Sequence, residues 1–196
     1  TVTSADGCVH DTSKVLSTVY PQPLAAFAVA PENCLNMPTS FTSNSSGSGN
    51  AIANWFWNFG DGNTATGQNV SHTYATAGTY TVKHWVRTVT NCYSDTLPQT
   101  VVINQLPAGN FNYNTPSCED RTVSFTDLSV PNSGTLNQWA WNFGDLGSGA
   151  ANTSTLTNPQ HIFSNPGVYT VTLVVTTTKG CVDTIPVSVT VNSQPN

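Results

Sequence analysis

The hydrophobic positions of this chain fall in short alternating runs separated by polar turns, and no stretch carries a helical period of useful length. The clearest runs are 80–86 (YTVKHWV) and 169–175 (YTVTLVV), in which apolar side chains recur at every second position. Alternation of this kind sets one face of a strand against a core and the other toward water. In the first run Tyr80, Val82 and Val86 share a face, while Trp85 is out of phase with them and shares the other face with Thr81, Lys83 and Arg87. The stretch 54–62 (NWFWNFGDG) alternates in the same way, placing Trp55, Trp57 and Phe59 on one face. The stretch 138–146 (QWAWNFGDL) does so for Trp139, Trp141 and Phe143. Together these runs predict an all-β chain of antiparallel sandwiches, with Trp57, Phe59, Trp141 and Phe143 between the sheets. Each such buried aromatic stabilises by about 2–3 kcal/mol. Gly60-Asp61-Gly62 then reads as a turn, with Asp61 accepting from local backbone N–H groups.

The two tryptophan motifs lie 84 residues apart, and self-similarity extends well beyond them. Cys34 matches Cys118 and Ser40-Phe41-Thr42 matches Ser124-Phe125-Thr126 at the same offset. His72-Thr73-Tyr74 and His161-Ile162-Phe163 are 89 apart, so the loop 146–160 absorbs five extra residues. Gly78-Thr79-Tyr80 then matches Gly167-Val168-Tyr169, and Cys92 matches Cys181. Residues 6–12 (DGCVHDT) repeat the same ending once more, with Cys8 in the place of Cys92. The expected organisation is therefore the tail of a preceding repeat in 1–23, one domain in 24–107 and a second in 108–196. The chain reads as a window cut from a longer array, with neighbouring repeats as its first partners. The joints at 20–23 (YPQP) and 105–107 (QLP) are short and proline-bearing, which favours a stiff line of domains.

These residues resemble the PKD (polycystic kidney disease) domain family. The resemblance is carried by Trp57-Asn58-Phe59-Gly60-Asp61-Gly62, His72-Thr73-Tyr74 and Gly78 with the alternating run after it. In the second copy it is carried by Trp141-Asn142-Phe143-Gly144-Asp145, His161-Ile162-Phe163 and Gly167 onward. Asn58 and Asn142 stand where the family has Asp, Leu146 replaces the final Gly, and His84 occupies an expected Leu position. The resemblance implies tandem seven-stranded immunoglobulin-like (PKD) sandwiches without a catalytic centre of their own. It also implies that Asp61, His72, Tyr80, Asp145, His161 and Tyr169 belong to the structural motif.

Composition narrows the function classes. Charged residues make up only 8% of the chain, with five Lys and Arg and a net charge of −5, which argues against a nucleic-acid surface. No run of about 18 apolar residues is present, so no membrane insertion through a helix is expected. Five cysteines remain to be paired. One matched pair per repeat gives Cys34 with Cys92 and Cys118 with Cys181, leaving Cys8 unpaired in this segment. Zinc is disfavoured because no C-x-x-C or grouped Cys/His spacing exists. Disulfides place the chain outside the cytosol, as an extracellular, cell-surface or secreted protein.

The remaining candidates each compete with a structural role. His72 and His161 precede an aromatic at matched positions, which reads as a hydrogen bond at a strand start; no matched Ser accompanies a repeated His–Asp set. Glu119, Asp120, Asp127 and Asp145 enrich the second repeat in carboxylates, but calcium needs six to eight oxygen ligands. The first-repeat counterpart of Asp127 is Ser43, so a site would not be shared by both repeats; solvated turn residues are the favoured reading and no cofactor is assigned. Trp85 faces outward between cations and is a candidate contact for a surface polysaccharide or protein ligand. Asp95-Thr96-Leu97 and Asp183-Thr184-Ile185 look like D-T-hydrophobic O-glycosylation acceptors of the Bacteroidota type, at Thr96 and Thr184. Asn44, Asn69 and Asn152 open N-x-S/T triplets in unmatched loops. The expected function is an extracellular structural spacer or stalk in a large bacterial surface or secreted protein of adhesin type, and not an enzyme. The alternative is an accessory binding module of a secreted hydrolase.

Overall fold

The computed structural model describes residues 2–3, 5–6, 9–10, 19–31, 33–115 and 117–193. A short ladder pairs β1 (Val2–Thr3) with β2 (Val9–His10). Cys8, part of the expected tail, lies outside the described residues. Two β-sandwiches of the same topology follow.

In the first, β3 (Phe27–Val29), β4 (Pro38–Ser43) and β7 (Asn69–Thr73) form one antiparallel sheet in the order β3-β4-β7. The facing sheet has the order β6-β5-β8-β9, from β6 (Thr64–Thr66), β5 (Ile52–Asn58), β8 (Gly78–Thr88) and β9 (Leu97–Ile103). The second sandwich repeats both. β10 (Phe111–Tyr113), β11 (Thr122–Asp127) and β14 (Gln160–Ile162) form the three-stranded sheet. β13 (Thr153–Ser154), β12 (Leu136–Asn142), β15 (Gly167–Thr177) and β16 (Val182–Val191) form the four-stranded one. Both central strand pairs, β5 with β8 and β12 with β15, carry a register shift at the same place, between Ile52 and Asn54 and between Leu136 and Gln138.

Alternation is what drives the two sheets together. Along β8, Val82, His84, Val86 and Thr88 are buried, while Thr81 and Lys83 are exposed. Trp57, Phe59, Phe41, Tyr74, Val82, Val101 and Ile103 form the first core. Trp141, Phe143, Phe125, Phe163, Val171 and Leu173 lie in the second. Trp57 and Trp141 also satisfy their one donor. Trp57 Nε1 donates to the Gly67 carbonyl at 2.8 Å and Trp141 Nε1 to that of Leu156 at 2.9 Å. Tyr80 and Tyr169 reach back to the carbonyls of Thr76 and Asn165, both at 2.8 Å, which pins the entrance to the longest strand.

Glycine in the motif has a steric cause. Gly60 and Gly144 have φ of 82° and 72°, and a Cβ there would stand 2.7 Å from the carbonyl oxygen of Thr81 or Thr170. The five-residue insertion falls just beyond. Where the first repeat turns through Gly62 at φ 96°, the second has a 3-10 segment, Leu146–Asn152. The two turns reconverge at matched residues, since Phe59 N donates to Asn63 O at 3.0 Å and Phe143 N to Asn152 O at 2.9 Å.

Candidate functional site

Each repeat holds a buried-edge Asp–His pair under its motif turn. His72 Nε2 lies 2.6 Å from Asp61 Oδ2, and the His72 ring stacks on Phe59 at 4.2 Å. Asp61 also accepts from Asn63 N at 3.0 Å and Asn63 Nδ2 at 3.1 Å. His161 Nε2 lies 3.1 Å from Asp145 Oδ2, with its ring stacked on Phe143 at 4.3 Å. Asp145 is also bonded by Ser164, whose N donates at 2.9 Å and whose Oγ donates at 3.0 Å. Burial raises both carboxyls, yet these hydrogen bonds outweigh it and hold both below the ordinary Asp value. Although Ser164, Asp145 and His161 cluster, the serine hydroxyl is on the carboxylate and not on the imidazole. A nucleophile needs the opposite order, with the base between serine and acid.

Other candidate residues are scattered. Asp127 accepts from Trp139 Nε1 at 2.8 Å and Ser129 N at 3.0 Å, far along the sheet from the Asp145 turn. Among the described residues, no group of three His, Cys, Asp or Glu is placed to hold a metal ion. Trp85 lies on the outer face but is only partly exposed, because Phe56 stacks on it at 5.5 Å with an interplanar angle of 13°. Full outward exposure, which alternation suggests, is thus reduced by a cross-strand neighbour. On the same face, Arg87 donates through Nη2 to Asn54 Oδ1 at 2.6 Å. Thr96 and Thr184 are both exposed, whereas Asn152 is buried and its Oδ1 accepts from Asp145 N at 2.7 Å.

Sequence reasoning passed over His84. It is fully buried, stacked on Trp57 at 3.9 Å, with Nδ1 donating to the Phe56 carbonyl at 2.9 Å. Nε2 is then the acceptor for the hydroxyls of Ser43 at 2.9 Å and Ser45 at 3.1 Å. Burial lowers its pKa, partly offset by the Phe56 bond. The signal was the departure from Leu at this position, where the second repeat has Leu173, together with Ser43, which stands where the second repeat has Asp127.

The feature that joins the repeats is a disulfide between Cys34 and Cys181, with Cα atoms 5.6 Å apart. This corrects the pairing of Cys34 with Cys92 and of Cys118 with Cys181; Cys92 and Cys118 are free and partly exposed. The reason is the length of the sandwich. Cys34 is bridged to Asn104, just past Ile103, which pairs with Gly78 at the start of β8. Cys92 lies in the turn after Thr88, at the other end of that 11-residue strand. At about 3.3 Å per residue, the two ends are roughly 33 Å apart, whereas a disulfide needs Cα atoms within about 7 Å. Cys118 and Cys181 are separated in the same way by β15.

Cys181, at the entrance end of the second sandwich, meets Cys34 at the exit end of the first. Only residues 105–107 intervene between Asn104, bridged to Cys34, and Ala108, bridged to Val130. Gln105 N donates to Ser133 Oγ at 3.0 Å and Asn132 Nδ2 to Leu106 O at 2.9 Å. Asp183 Oδ2 accepts from Gly109 N at 2.8 Å, as Asp95 Oδ1 accepts from Gln22 Nε2 at 3.2 Å. A small cleft beside the bond is lined by Cys34, Met37, Pro38, Leu106, Gly180 and Val182.

Two immunoglobulin-like sandwiches, each with an aromatic core strand ending in a Gly-Asp turn clasped by a histidine, define a class of tandem β-sandwich module. The PKD domain model matches residues 20–103 and again 104–191, and the chain belongs to the PKD domain family. Among solved structures, the PKD1 domain of Vibrio anguillarum Epp is 31% identical over 46% of this chain and 99% of that domain, with a TM-score of 0.41. The PKD1 domain from Vibrio cholerae metalloprotease PrtV is 29% identical over 42% of this chain and 98% of that one, with a TM-score of 0.39. The fibronectin(III)-like modules of Clostridium thermocellum CbhA are 9% identical over 86% of this chain and 95% of theirs, with a TM-score of 0.46.

Proposed function

We propose that this pair of PKD repeats is a stiff extracellular spacer within a bacterial surface or secreted protein of adhesin type. The observation that carries the reading is the Cys34–Cys181 bond across a three-residue joint. A short joint already limits swing, and a covalent second tie on the cleft side removes hinge bending about it. Disulfides persist in oxidising compartments, which supports a location outside the cytosol. No helix among the described residues is long and apolar enough to cross a membrane. The relatives include a PKD domain from a metalloprotease, so an accessory role beside a catalytic domain is the competing reading. The spacer itself is inferred to be non-catalytic, since its Asp–His pairs are consumed in holding turns.

Small-angle scattering tests the spacer reading. A sandwich strand rises about 3.3 Å per residue, so each repeat with its turns spans roughly 30–40 Å and the pair about 60–80 Å. The oxidised chain is expected to scatter as a single extended rod of that length. C34S/C181S is expected to keep both folded repeats while its distance distribution broadens. A compact particle, or identical profiles for the two proteins, would contradict the reading.

A further inference from the structure

We propose that Cys92 and Cys118 are two further halves of the same inter-repeat bridge, each bonding a cysteine of another PKD repeat stacked end to end with this pair. The inference stands on the junction geometry and not on the spacer reading. Cys92 occupies the turn that holds Cys181. Around Cys181, Thr177 N donates to Cys181 O at 2.9 Å, Cys181 N to Thr177 Oγ1 at 3.3 Å, and Gly180 N to Thr177 O at 2.9 Å. Around Cys92, the bonds are Thr88 N to Cys92 O at 3.0 Å, Cys92 N to Thr88 Oγ1 at 3.2 Å, and Asn91 N to Thr88 O at 3.0 Å. Asn91 adopts φ 63° where Gly180 has 76°.

Cys118 likewise occupies the seat of Cys34. Leu35 N donates to Asn104 O at 2.8 Å, and Asn104 reaches Asn33 O through N at 2.8 Å and Nδ2 at 3.1 Å. Glu119 N donates to Asn192 O at 3.0 Å, and Asn192 reaches Ser117 O through N at 2.9 Å and Nδ2 at 3.2 Å. Both frames are therefore built whether or not the bond is made. What differs is cover: the bonded cysteines are buried at the joint, and the free pair is partly exposed at the two outer ends. The β1–β2 ladder keeps the same pairing offset, since Thr3 pairs with Val9 as Arg87 bridges Tyr93 and Thr176 pairs with Val182. A repeat presenting a Cys34-type cysteine fits Cys92, and one presenting a Cys181-type cysteine fits Cys118.

Bond formation consumes one small disulfide, such as oxidised glutathione. The thiolate of one cysteine attacks it and releases a glutathione thiol, and the partner thiolate then displaces the second. One disulfide is lost, one is gained, and two thiols leave.

The test uses two variants of the whole chain, C8S/C92S and C8S/C118S, each keeping the Cys34–Cys181 bond and one end thiol. Oxidised separately with glutathione disulfide at high protein concentration, each is expected to stay monomeric, because like ends do not stack. Mixed, they are expected to form a heterodimer bridged from Cys118 to Cys92, at least tenfold in excess of either homodimer. Homodimers as abundant as the heterodimer would show mere thiol exposure and overturn the proposal. Glutathione-capped monomers alone would overturn it as well.

Discussion

His72 sits 2.6 Å from the Asp61 carboxylate in the first repeat, and His161 sits 3.1 Å from Asp145 in the second, but the two pairs differ in cover. The Asp61 side chain is 17% exposed and that of Asp145 only 3%. Asp145 also takes the Ser164 bonds in place of water. Removing a buried carboxylate strands its donors, so Asp145→Ala is expected to cost about 2–3 kcal/mol and Asp61→Ala about 1–2 kcal/mol. Urea unfolding read through tryptophan fluorescence gives both values; equal costs would contradict the role assigned to Ser164.

The same carboxylates set an acid limit. Their folded pKa values lie below the unfolded one, so the unfolded state binds protons first as pH falls. Their stabilisation is complete above about pH 4 and is lost as pH drops through the folded values. Stability of the parent chain is expected to fall below about pH 4 more steeply than that of D61A/D145A. Parallel curves would rule this out.

His84 sets a second, milder window. Its folded pKa is depressed by burial, so the unfolded imidazole takes a proton first. Its contribution is complete above about pH 6.5 and declines as pH falls from there toward the folded value. His84→Leu, which installs the residue type of Leu173, is expected to remove the decline between about pH 6.5 and 5 while preserving the fold. An unchanged pH profile in that variant would show that His84 does not titrate with unfolding.

Trp57 and Trp85 separate core from surface. Trp57 is fully buried between the sheets, and its truncation to Ala is expected to cost about 3–5 kcal/mol. Trp85→Ala loses one stacked pair with Phe56 and is expected to cost only about 1 kcal/mol. If the Phe56–Trp85 pair serves the competing accessory role, Trp85→Ala abolishes binding to a polysaccharide array without unfolding the chain. Comparable destabilisation by both substitutions would contradict the face assignment.

Thr96 and Thr184 are exposed at equivalent places beside the Asp that holds each entering strand. Modification at both is expected in a host that glycosylates D-T-hydrophobic sites. Intact-mass measurement of natively purified protein checks it, and the bare chain mass would refute it.

The sandwich fold was legible in the sequence because alternation in 80–86 and 169–175 is a direct image of burial. The tandem arrangement was legible because Trp57 and Trp141 recur with their whole surroundings. Cysteine pairing was not. Alignment matches Cys34 with Cys118 and Cys92 with Cys181, but says nothing of which end of a sandwich each occupies. That depends on the length of β8 and β15, which carry the two cysteines of each repeat to opposite ends. Ser164 was equally hidden, since its first-repeat counterpart is Ala75 and no matched residue draws attention to it.

Five basic residues make the decisive measurement simple. Trypsin cleaves after Lys14, Lys83, Arg87, Arg121 and Lys179, so Cys34 leaves in peptide 15–83, Cys181 in 180–196, and both Cys92 and Cys118 in 88–121. With free thiols alkylated before non-reducing digestion, peptide 15–83 is expected to be joined to 180–196, while 88–121 carries two alkyl groups. Peptide 88–121 joined to both 15–83 and 180–196, with no direct link between those two, would return each disulfide to a single repeat and contradict the covalent joint between the repeats.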